Sequence, residues 1–435
     1  MRQELGDFSS LNKNQKAAAV LLSIGTFLEY FDLMLYVHMA VLLNKLFFPI
    51  TDPQTSVLIS AFAFCSTFVF RPLGALLFGA IGDRMGRKVA VIIATSIMAI
   101  SCVVMANLPT YSQIGIIASW LITVCRIAQG ISSMGELVGA ELYLTEITKP
   151  PMQYVIVAFV TVASNVGTVV ALGVATIVLK LELGWRVVFW LGAFIAIISL
   201  IARTSLKETS TFVTAKKNKT NNLPVSVDSK TSAKTIIFLF IMSCSWPICF
   251  YFAYVHCGDI LQNTFSYTAE AVIKHNFIVA MIQLLGTLVY TFLSYKIYPL
   301  TIIKLKLLIL FLFIPFCPYL LNNTTSTFYV FLIQIFIVLF SVATLPATPI
   351  FFKHLPILKR FTYGSMVYAL SRTLVYLVTS FGSIYLAKYF GSYMLIIIMA
   401  PVGIGSYFGV YHFENLEKQY NSYGGKFKCH ALSTT

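Results

Sequence analysis

The sequence predicts an all-α integral membrane protein with twelve transmembrane helices arranged in two six-helix bundles. Three observations predict this fold class: an apolar composition, apolar runs long enough to cross a bilayer, and basic residues concentrated in alternate loops. Of the 435 residues, 58% are hydrophobic and 11% are charged, whereas a soluble domain usually carries about 25% charged residues. A water-soluble fold could not cover this much apolar surface.

The apolar residues lie in runs, most of which approach or exceed the ~20 residues that a helix needs to cross a hydrocarbon core of ~30 Å. Each run is therefore predicted to be one membrane-spanning helix. The predicted spans are 17–39, 56–80, 89–108, 115–140, 154–179, 187–203, 235–255, 270–294, 301–321, 327–350, 362–388 and 391–411.

The basic residues indicate the orientation of these spans. If the N-terminus is placed inside and charges near the end of a span are counted with the adjoining loop, most of the 31 Lys and Arg residues fall on the inside, and Arg71, Arg126 and Arg372 are the ones assigned to the interior of spans. This bias is typical of the positive-inside rule and predicts that both termini are cytoplasmic. The net charge of +15 is thus explained by topology, and nucleic acid is not expected as a partner.

The cysteines argue against a disulfide framework or a metal site, and the N-terminal residues argue against a cleaved signal peptide. The eight cysteines form no C-x-x-C pair and no cluster with histidine, so we expect neither a disulfide framework nor a metal site, and no cofactor. The first apolar run contains Glu29 and Asp32 and lacks a small-residue cleavage pattern. It is expected to be the first span rather than a cleaved signal.

A polar, basic stretch between Arg203 and Lys234 divides the spans six and six. It has no apolar periodicity and is predicted to be a flexible cytoplasmic linker. The predicted domains are an N-terminal bundle at 1–203, the linker at 204–234, a C-terminal bundle at 235–412 and a cytoplasmic tail at 413–435. Two bundles joined in this way are typical of transporters that rock about a midplane site.

The first span carries Glu29, Asp32 and Tyr36 at spacings of three and four residues, which places them on one helical face. Two neighbouring carboxylates at low dielectric cannot both ionise cheaply, so one of them is expected to bind a proton. A proton-coupled carrier needs such a group. The alternative is that both carboxylates form a structural ion pair with Arg126.

The fourth span contains Arg126, Gln129, Ser133 and Glu136 within one quadrant of the helix. A buried arginine needs a carboxylate partner, and the first span supplies two candidates. Because Arg126 and Glu29 both lie near mid-membrane on antiparallel helices, a pair between them is feasible. The segment predicts an internal polar site.

The sequence GAIGDRMGRK, from Gly79 to Lys88, lies between the second and third spans. Its glycines permit a tight turn, and its cations favour the cytoplasmic side of the membrane. Asp83 can form salt bridges that break and form again as the bundles move. The alternative is a basic loop that only sets topology.

This segment resembles the signature G-x-x-x-D-R-x-G-R-[RK] of the major facilitator superfamily, and RIAQG at Arg126–Gly130 resembles that superfamily's R-x-x-q-G motif. LEYFDLMLY, LPTYSQIG and GWRVVFWLGA extend the resemblance to the metabolite:proton symporter branch over residues 17–212. Within that branch the chain most resembles the proline/betaine transporters, although dicarboxylate and citrate carriers share these motifs. The resemblance implies a multi-pass protein of the bacterial inner membrane.

The resemblance also implies roles for particular residues. It implies proton coupling through Glu29, Asp32 and Arg126, to which the shared face of the fourth span adds Glu136. It implies an inner gate formed by residues of the turn together with one acid at the end of the fourth span. The predicted gate residues are Gly79, Gly82, Asp83, Arg84, Gly86, Arg87, Lys88 and Glu146.

The expected substrate is a small zwitterionic osmolyte or amino acid such as proline or betaine, imported with protons. Such a solute needs a cation for its carboxylate and an anion for its nitrogen, and aromatic faces attract a quaternary ammonium. The alternative is a di- or tricarboxylate, for which Arg372 would supply a second cation. The predicted substrate-binding residues are Tyr36, Gln129, Asn165, Tyr251, Tyr254 and Arg372.

Two other classes of membrane protein explain the sequence less well. A membrane enzyme should show a catalytic pair or a metal cluster, but the six histidines are scattered. A receptor or a channel would not account for the two halves or for the Gly79–Lys88 turn. We therefore expect a monomeric transporter, not an enzyme, whose partners are a small solute, protons and membrane lipid.

Overall fold

The structure is a computed structural model that describes residues 11–48, 67–181, 184–220, 232–323 and 326–420, and most of these residues are helical. Nine helices in the described part of the chain are long and apolar enough to cross a membrane. Some predicted segments lie outside the described residues: the part of span 56–80 before residue 67, residues 221–231 of the linker and residues 421–435 of the tail.

The helices of the first half of the chain follow the predicted spans closely. A single turn at Tyr111–Ile114 precedes the fourth long helix, which contains a π-helical turn at Met134–Val138. The helices are α1 (Lys13–Phe47), α2 (Arg71–Arg84), α3 (Arg87–Asn107), α4 (Ile116–Ile147), α5 (Met152–Lys180), α6 (Arg186–Arg203) and α7 (Ser210–Thr220).

The second half is also built from helices. A π-helical turn lies at Tyr251–His256 and another at Val378–Gly382. The helices are α8 (Ala233–Asn263), α9 (Ala269–Lys296), α10 (Pro299–Asn322), α11 (Thr327–Phe340), α12 (Thr348–Lys353), α13 (360–390) and α14 (Met394–Gln419).

The ends of several helices follow from local sequence. α1 begins at a capping box, in which the Asn12 side chain accepts from the Gln15 N–H at 2.8 Å and the Gln15 side chain accepts from the Asn12 N–H at 3.0 Å. α2 and α3 are separated by Gly86, whose φ of 119° is a conformation that glycine adopts far more readily than other residues. The predicted tight turn at this position is therefore present.

The predicted span 327–350 is wrong as a single helix. α11 ends at Phe340, residues 341–347 are not helical, and α12 begins at Thr348. Pro346 explains the break, because proline has no N–H to donate and disfavours helical geometry at the residue before it. Non-helical backbone at membrane depth is tolerated where it lines a cavity, and Ser341–Leu345 contributes to one.

Two further segments differ from the sequence-based expectation. Ser210–Thr220 is helical where a flexible linker was predicted, and the ring of Phe212 lies 4.6 Å from the Arg87 guanidinium. The last helix continues to Gln419, beyond the predicted end of the C-terminal bundle at 412. The division of the chain into the four predicted domains stays a prediction.

Two helix pairs account for most of the contact between the halves among the described residues. α5 packs against α9, and α2 packs against α13. Within the halves, α1 packs along α5, α3 along α6, and α8 along α14. We call the end of the assembly that carries Lys149, Lys296 and Lys353 the basic face.

Glycine allows the closest of these approaches. A Cβ atom at Gly167 of α5 would lie 2.3 Å from the carbonyl oxygen of Phe27 on α1, which no side chain could tolerate without movement of the backbone. Small residues let membrane helices pack backbone to backbone in this way. Gly173, two turns further along α5, is less crowded: its Cβ would lie 3.5 Å from the Phe277 ring.

We expect Gly167→Ala to lower the apparent unfolding temperature of the detergent-solubilised protein, because overpacking costs about 1–3 kcal/mol. Gly173→Ala is the matched control and should leave that temperature unchanged or raise it slightly, since its Cβ meets only an ordinary contact. Thermal unfolding followed by intrinsic fluorescence measures both. Equal unfolding temperatures for the two variants would show that α1 and α5 do not approach as described.

Candidate functional site

The predicted partner of Arg126 is found on α1. Arg126 Nη1 lies 2.9 Å from Asp32 Oδ2, and both side chains are buried. The same nitrogen donates to Gln129 Oε1 at 2.8 Å, and the guanidinium lies 4.1 Å from the centre of the Tyr36 ring. The helical spacing that places Asp32 beside Tyr36, and Arg126 beside Gln129, brings all four side chains together.

Glu29 has a different partner from the one predicted. Its Oε1 lies 3.5 Å from Arg71 Nη2 at the start of α2, so the proposed pair between Glu29 and Arg126 is wrong. Asp32 already occupies Arg126, and the three-residue offset along α1 turns Glu29 towards α2. The Arg71 guanidinium also lies 4.7 Å from the centre of the Phe68 ring.

Glu136 forms a third buried ion pair, with Arg203 at the end of α6. The Thr95 hydroxyl of α3 donates to Glu136, and Arg203 Nη2 donates to the carbonyl of Leu22 on α1 at 3.2 Å. This pair therefore joins four helices of the first half. Sequence reasoning missed Arg203, because it stands at the predicted end of a span, where an arginine normally reaches the lipid headgroups.

A cavity of about 100 Å³ lies between the two halves. It is lined by α1, α4 and α5 on one side and by helices of the second half and Ser341–Leu345 on the other. We call it the central cavity. Its charged and aromatic lining residues, with two amides, are Tyr30, Glu141, Asn165, Trp246, Gln283, Tyr290, Lys306, Tyr368 and Arg372.

Three ionisable residues of the central cavity take part in no salt bridge within the described part of the chain: Glu141, Lys306 and Arg372. Glu141 and Lys306 are buried and Arg372 is partly buried. The Arg372 guanidinium lies 3.2 Å from the centre of the Tyr368 ring and interacts electrostatically with Glu141. Lys306 Nζ lies 4.6 Å from the centre of the Tyr290 ring.

The predicted substrate-binding residues divide into two groups. Asn165 and Arg372 line the central cavity, and Asn165 connects the halves: its amide donates to Thr287 Oγ1 at 2.8 Å and accepts from Gln283 at 3.0 Å. The other four lie beside the cavity lining rather than in it. Tyr36 and Gln129 hold Arg126, the Tyr251 hydroxyl is 2.7 Å from Ser383 Oγ, and the Tyr254 hydroxyl donates to Gln283 at 2.7 Å.

Glu141 and Lys306 were not predicted as site residues. Glu141 lies just beyond the predicted end of the fourth span, and Lys306 lies near the start of the predicted span 301–321, where it was counted with the basic residues of the preceding loop. The signal was present in both cases. α4 continues to Ile147 and α10 begins at Pro299, so each charge stands well inside a membrane helix.

The predicted inner gate lies at the basic face, where α2 meets the start of α13. The Asp83 carboxylate accepts from the N–H groups of Phe361 at 3.2 Å and Thr362 at 3.0 Å, and from Thr362 Oγ1 at 2.7 Å. An anion at a helix N-terminus is favourable, because the first N–H groups of a helix lack partners within it. Asp83 in the first half thus caps a helix of the second half.

Arg87 extends this contact. Its buried guanidinium lies 3.1 Å from Glu146 and 3.5 Å from Asp83, and it donates to the Ile357 carbonyl at 2.9 Å. Arg360 in the second half lies 3.8 Å from the same Glu146. The pair of Arg360 with Glu146 and the hydrogen bond of Arg87 to Ile357 therefore join the two halves at the basic face.

The other predicted gate residues act locally. A Cβ at Gly79 or Gly82 would collide with Thr362 or Phe361, so these glycines set the approach of α2 to α13. Lys88 Nζ donates to the Thr204 carbonyl within the first half. The Arg84 side chain is exposed at the end of α2.

Comparisons with known proteins agree with this geometry. Residues 18–234 match the family described as "Sugar (and other) transporter". The chain is 33% identical over 216 residues to a proline/betaine transporter of Salmonella typhimurium, covering 48% of this chain and 43% of the relative. It is 34% identical over 276 residues to the inner membrane metabolite transport protein YhjE of Escherichia coli, covering 61% of each. A citrate-proton symporter of Salmonella typhi is 32% identical over 206 residues, with 46% of this chain and 48% of the relative covered.

The chain spans about half the length of the curated relatives that it matches. Solved structures cover more of it. The proton:xylose symporter XylE, a major facilitator superfamily protein bound to 6-bromo-6-deoxy-D-glucose, superposes with a TM-score of 0.76 at 13% identity, over 91% of this chain and 94% of that one. The human organic anion transporter MFSD10 gives a TM-score of 0.67 at 14% identity, over 92% and 100%. At 13–14% identity, these similarities show that the fold is shared and no more.

The helices of the described residues define a multi-pass membrane protein, and the relatives of its first half are transporters. The predicted all-α membrane fold of twelve helices is confirmed. The chain has the fold of the major facilitator superfamily structures, and its first half matches the sugar (and other) transporter family and resembles the proline/betaine transporters.

We expect Asp83→Asn to open the basic face, because a neutral amide no longer attracts the N-terminus of α13 and can accept fewer of its hydrogen bonds. The loss of about 1.4 kcal/mol would shift the ratio of open to closed molecules about tenfold. Alkylation of a single cysteine at Thr145→Cys by a membrane-impermeant maleimide measures this opening, because Thr145 is buried beside the gate.

The matched control is Glu414→Gln, which removes a carboxylate that pairs with Lys304 and Lys418 within the second half. It should leave the labelling rate at position 145 unchanged. If Asp83→Asn labels no faster than this control, Asp83 does not hold the gate.

Proposed function

We propose that this chain is a proton-coupled symporter that imports a small zwitterionic osmolyte or amino acid, such as proline or betaine, across a bacterial inner membrane by alternating access. In this proposal the basic face and both termini are cytoplasmic. The observation that carries it is the central cavity, where the unpaired Arg372 and Glu141 lie among aromatic rings between the two halves.

A zwitterion complements this pair of charges. The Arg372 guanidinium can bind a carboxylate through two parallel hydrogen bonds, and Glu141 can attract the positively charged nitrogen. Tyr30 and Trp246 also line the cavity, and aromatic faces stabilise a quaternary or secondary ammonium. Arg126 is less suited than Arg372 to bind substrate, because Asp32 already holds it.

Alternating access would rock the halves about this cavity. Hydrogen bonds that cross between the halves beside the cavity, such as Tyr30 to Tyr368 at 3.3 Å, would have to break and form again. At the basic face the contacts of Asp83 and Arg87 with the second half would break when the cavity opens to the cytoplasm. Rigid-body rocking of two bundles around a midplane site is the usual mechanism of such folds.

The proposed coupling residues are Asp32, Glu29, Arg126 and Glu136. Each carboxylate is buried beside an arginine, so binding a proton would remove the charge that holds its partner. A buried guanidinium left without a carboxylate is costly, and its helix would be driven to a new arrangement. Through α1 and α4, which both line the cavity, this change would reach the solute.

A proton-coupled di- or tricarboxylate transporter is the second candidate. One observation favours it: Lys306 supplies a second cation of the cavity that takes part in no salt bridge within the described residues. The relatives include both proline/betaine transporters and a citrate-proton symporter, so both candidates have support among them.

Asp32→Asn should abolish accumulation of solute against its gradient while sparing exchange, because the amide cannot carry a proton but preserves the shape of the site. Proteoliposomes with an inward proton gradient measure accumulation, and counterflow measures exchange. Glu270→Gln is the control, since Glu270 is exposed and pairs only with Lys274 among the described residues. If Asp32→Asn and Glu29→Gln both concentrate solute as the native protein does, neither residue couples transport to protons.

A substrate panel distinguishes the two candidates. The purified protein should take up labelled proline or betaine in preference to succinate or citrate at acidic outside pH. Arg372→Gln should raise the apparent KM for the preferred solute at least about tenfold, the effect of losing about 1.4 kcal/mol of binding free energy. Uptake of citrate without uptake of proline or betaine would refute the zwitterion proposal and favour the second candidate.

A further inference from the structure

The charges of the central cavity are exceptional within this protein. Among the described residues, each other buried Lys or Arg has a carboxylate within 4.0 Å, as in the pairs of Arg126 with Asp32 and Arg360 with Glu146. Each other buried Asp or Glu of that part of the chain likewise has a cation within 4.0 Å. Lys306 and Glu141 are the two exceptions, and both line the same cavity.

Unpaired charges at this depth are expensive. A cation near the centre of the bilayer costs about 2.5–3.5 kcal/mol on insertion scales, and such residues usually face a partner or a cavity. The chain provides partners for its other buried charges but leaves Lys306, Glu141 and Arg372 open to the central cavity. The missing partners are therefore best supplied by the solute.

The placement of the three charges restricts what that solute can be. Glu141 on α4 and Arg372 on α13 line the same cavity from opposite halves, at a distance that allows electrostatic attraction between them. Lys306 on α10 lines the cavity over the Tyr290 ring, with Cys249 as its electrostatic neighbour. An ammonium and a carboxylate on one carbon atom would suit the first two residues, and a second carboxylate at the end of a short chain would suit Lys306.

Resting on the proposed function, we infer that the preferred solute is an anionic amino acid, which carries two carboxylates and one ammonium. The cavity holds two cations and one carboxylate, so a solute of net charge −1 leaves it neutral with every charge paired. Proline or betaine would leave Lys306 without a partner. A dicarboxylate without nitrogen would bring negative charge against Glu141, which is unfavourable at low dielectric.

Competition for uptake tests this inference with the full chain in proteoliposomes under an inward proton gradient. Labelled glutamate or aspartate is the transported probe. The competitors are glutamine, which has the same shape without the second charge, glutarate, which lacks the ammonium, and proline and betaine. Unlabelled glutamate or aspartate should inhibit at concentrations at least about tenfold lower than glutamine or glutarate, the effect of one missing charge pair.

Variants at Lys306 and Glu141 identify which group of the solute each residue binds. Lys306→Gln should remove the preference for glutamate over glutamine, and Lys306→Arg should retain it. Glu141→Gln should instead remove the preference for glutamate over glutarate. Lys304→Gln is the matched control: Lys304 stands two residues from Lys306 but pairs with Glu414, and it should keep both preferences.

Equal competition by glutamate and glutamine would overturn the inference, as would an unchanged preference in Lys306→Gln. If proline or betaine is then transported with protons, the proposed function stands without it. If no solute of the panel is taken up, the proposed function fails. In that case, calorimetry measures the affinities of the detergent-solubilised protein for glutamate and for glutamine, which tests the inference without transport. Equal affinities would refute the inference.

Discussion

A charge buried among membrane helices needs a partner, and this requirement organises the interior of the protein. Within the first half, α1 is tied to α2 through Glu29 and to α4 through Asp32, and α4 is tied to α6 through Glu136. Breaking such a pair by removing one partner typically costs about 3–5 kcal/mol, because a bare charge remains in the low dielectric. These pairs fix the relative rotation of the helices, and that rotation decides which side chains face the cavity between the halves.

The requirement that a buried charge has a partner is met by different groups where the two halves meet. At the basic face, Asp83 and Arg87 contact the start of α13 partly through backbone groups, at a helix end that water can reach. Water can replace these partners when the halves separate, so the contacts can break and form again at modest cost. In the central cavity, Lys306, Glu141 and Arg372 have no salt-bridge partner among the described residues. Only solvent or solute can therefore stabilise their charges. Pairs within the first half are therefore expected to hold until a proton neutralises their carboxylate, whereas contacts between the halves can exchange with water.

The sequence predicts the helices well because each apolar run must cover the thickness of the bilayer. It misses the break after Phe340, since residues 341–347 contain no charged residue that would interrupt the apolar run. It offers Asp32 as one of two candidate partners of Arg126, because helical periodicity places Glu29 and Asp32 on one face of the first span. Periodicity could not assign Glu29 to Arg71 or reveal Lys306 in the cavity, because both depend on the rotation of one helix against another. Those rotations are set by packing such as the contact of Gly167 with α1, which no local pattern records.

The central claim is that the solute binds to the residues that the protein leaves unpaired, not to those that it pairs. A structure of the protein in lipid nanodiscs, saturated with its transported solute, tests this most directly. The account predicts a solute carboxylate within hydrogen-bonding distance of Arg372, positive charge facing Glu141, and an intact pair between Asp32 and Arg126. A solute carboxylate bound to Arg126 in place of Asp32, with the space beside Arg372 and Glu141 empty, would contradict it.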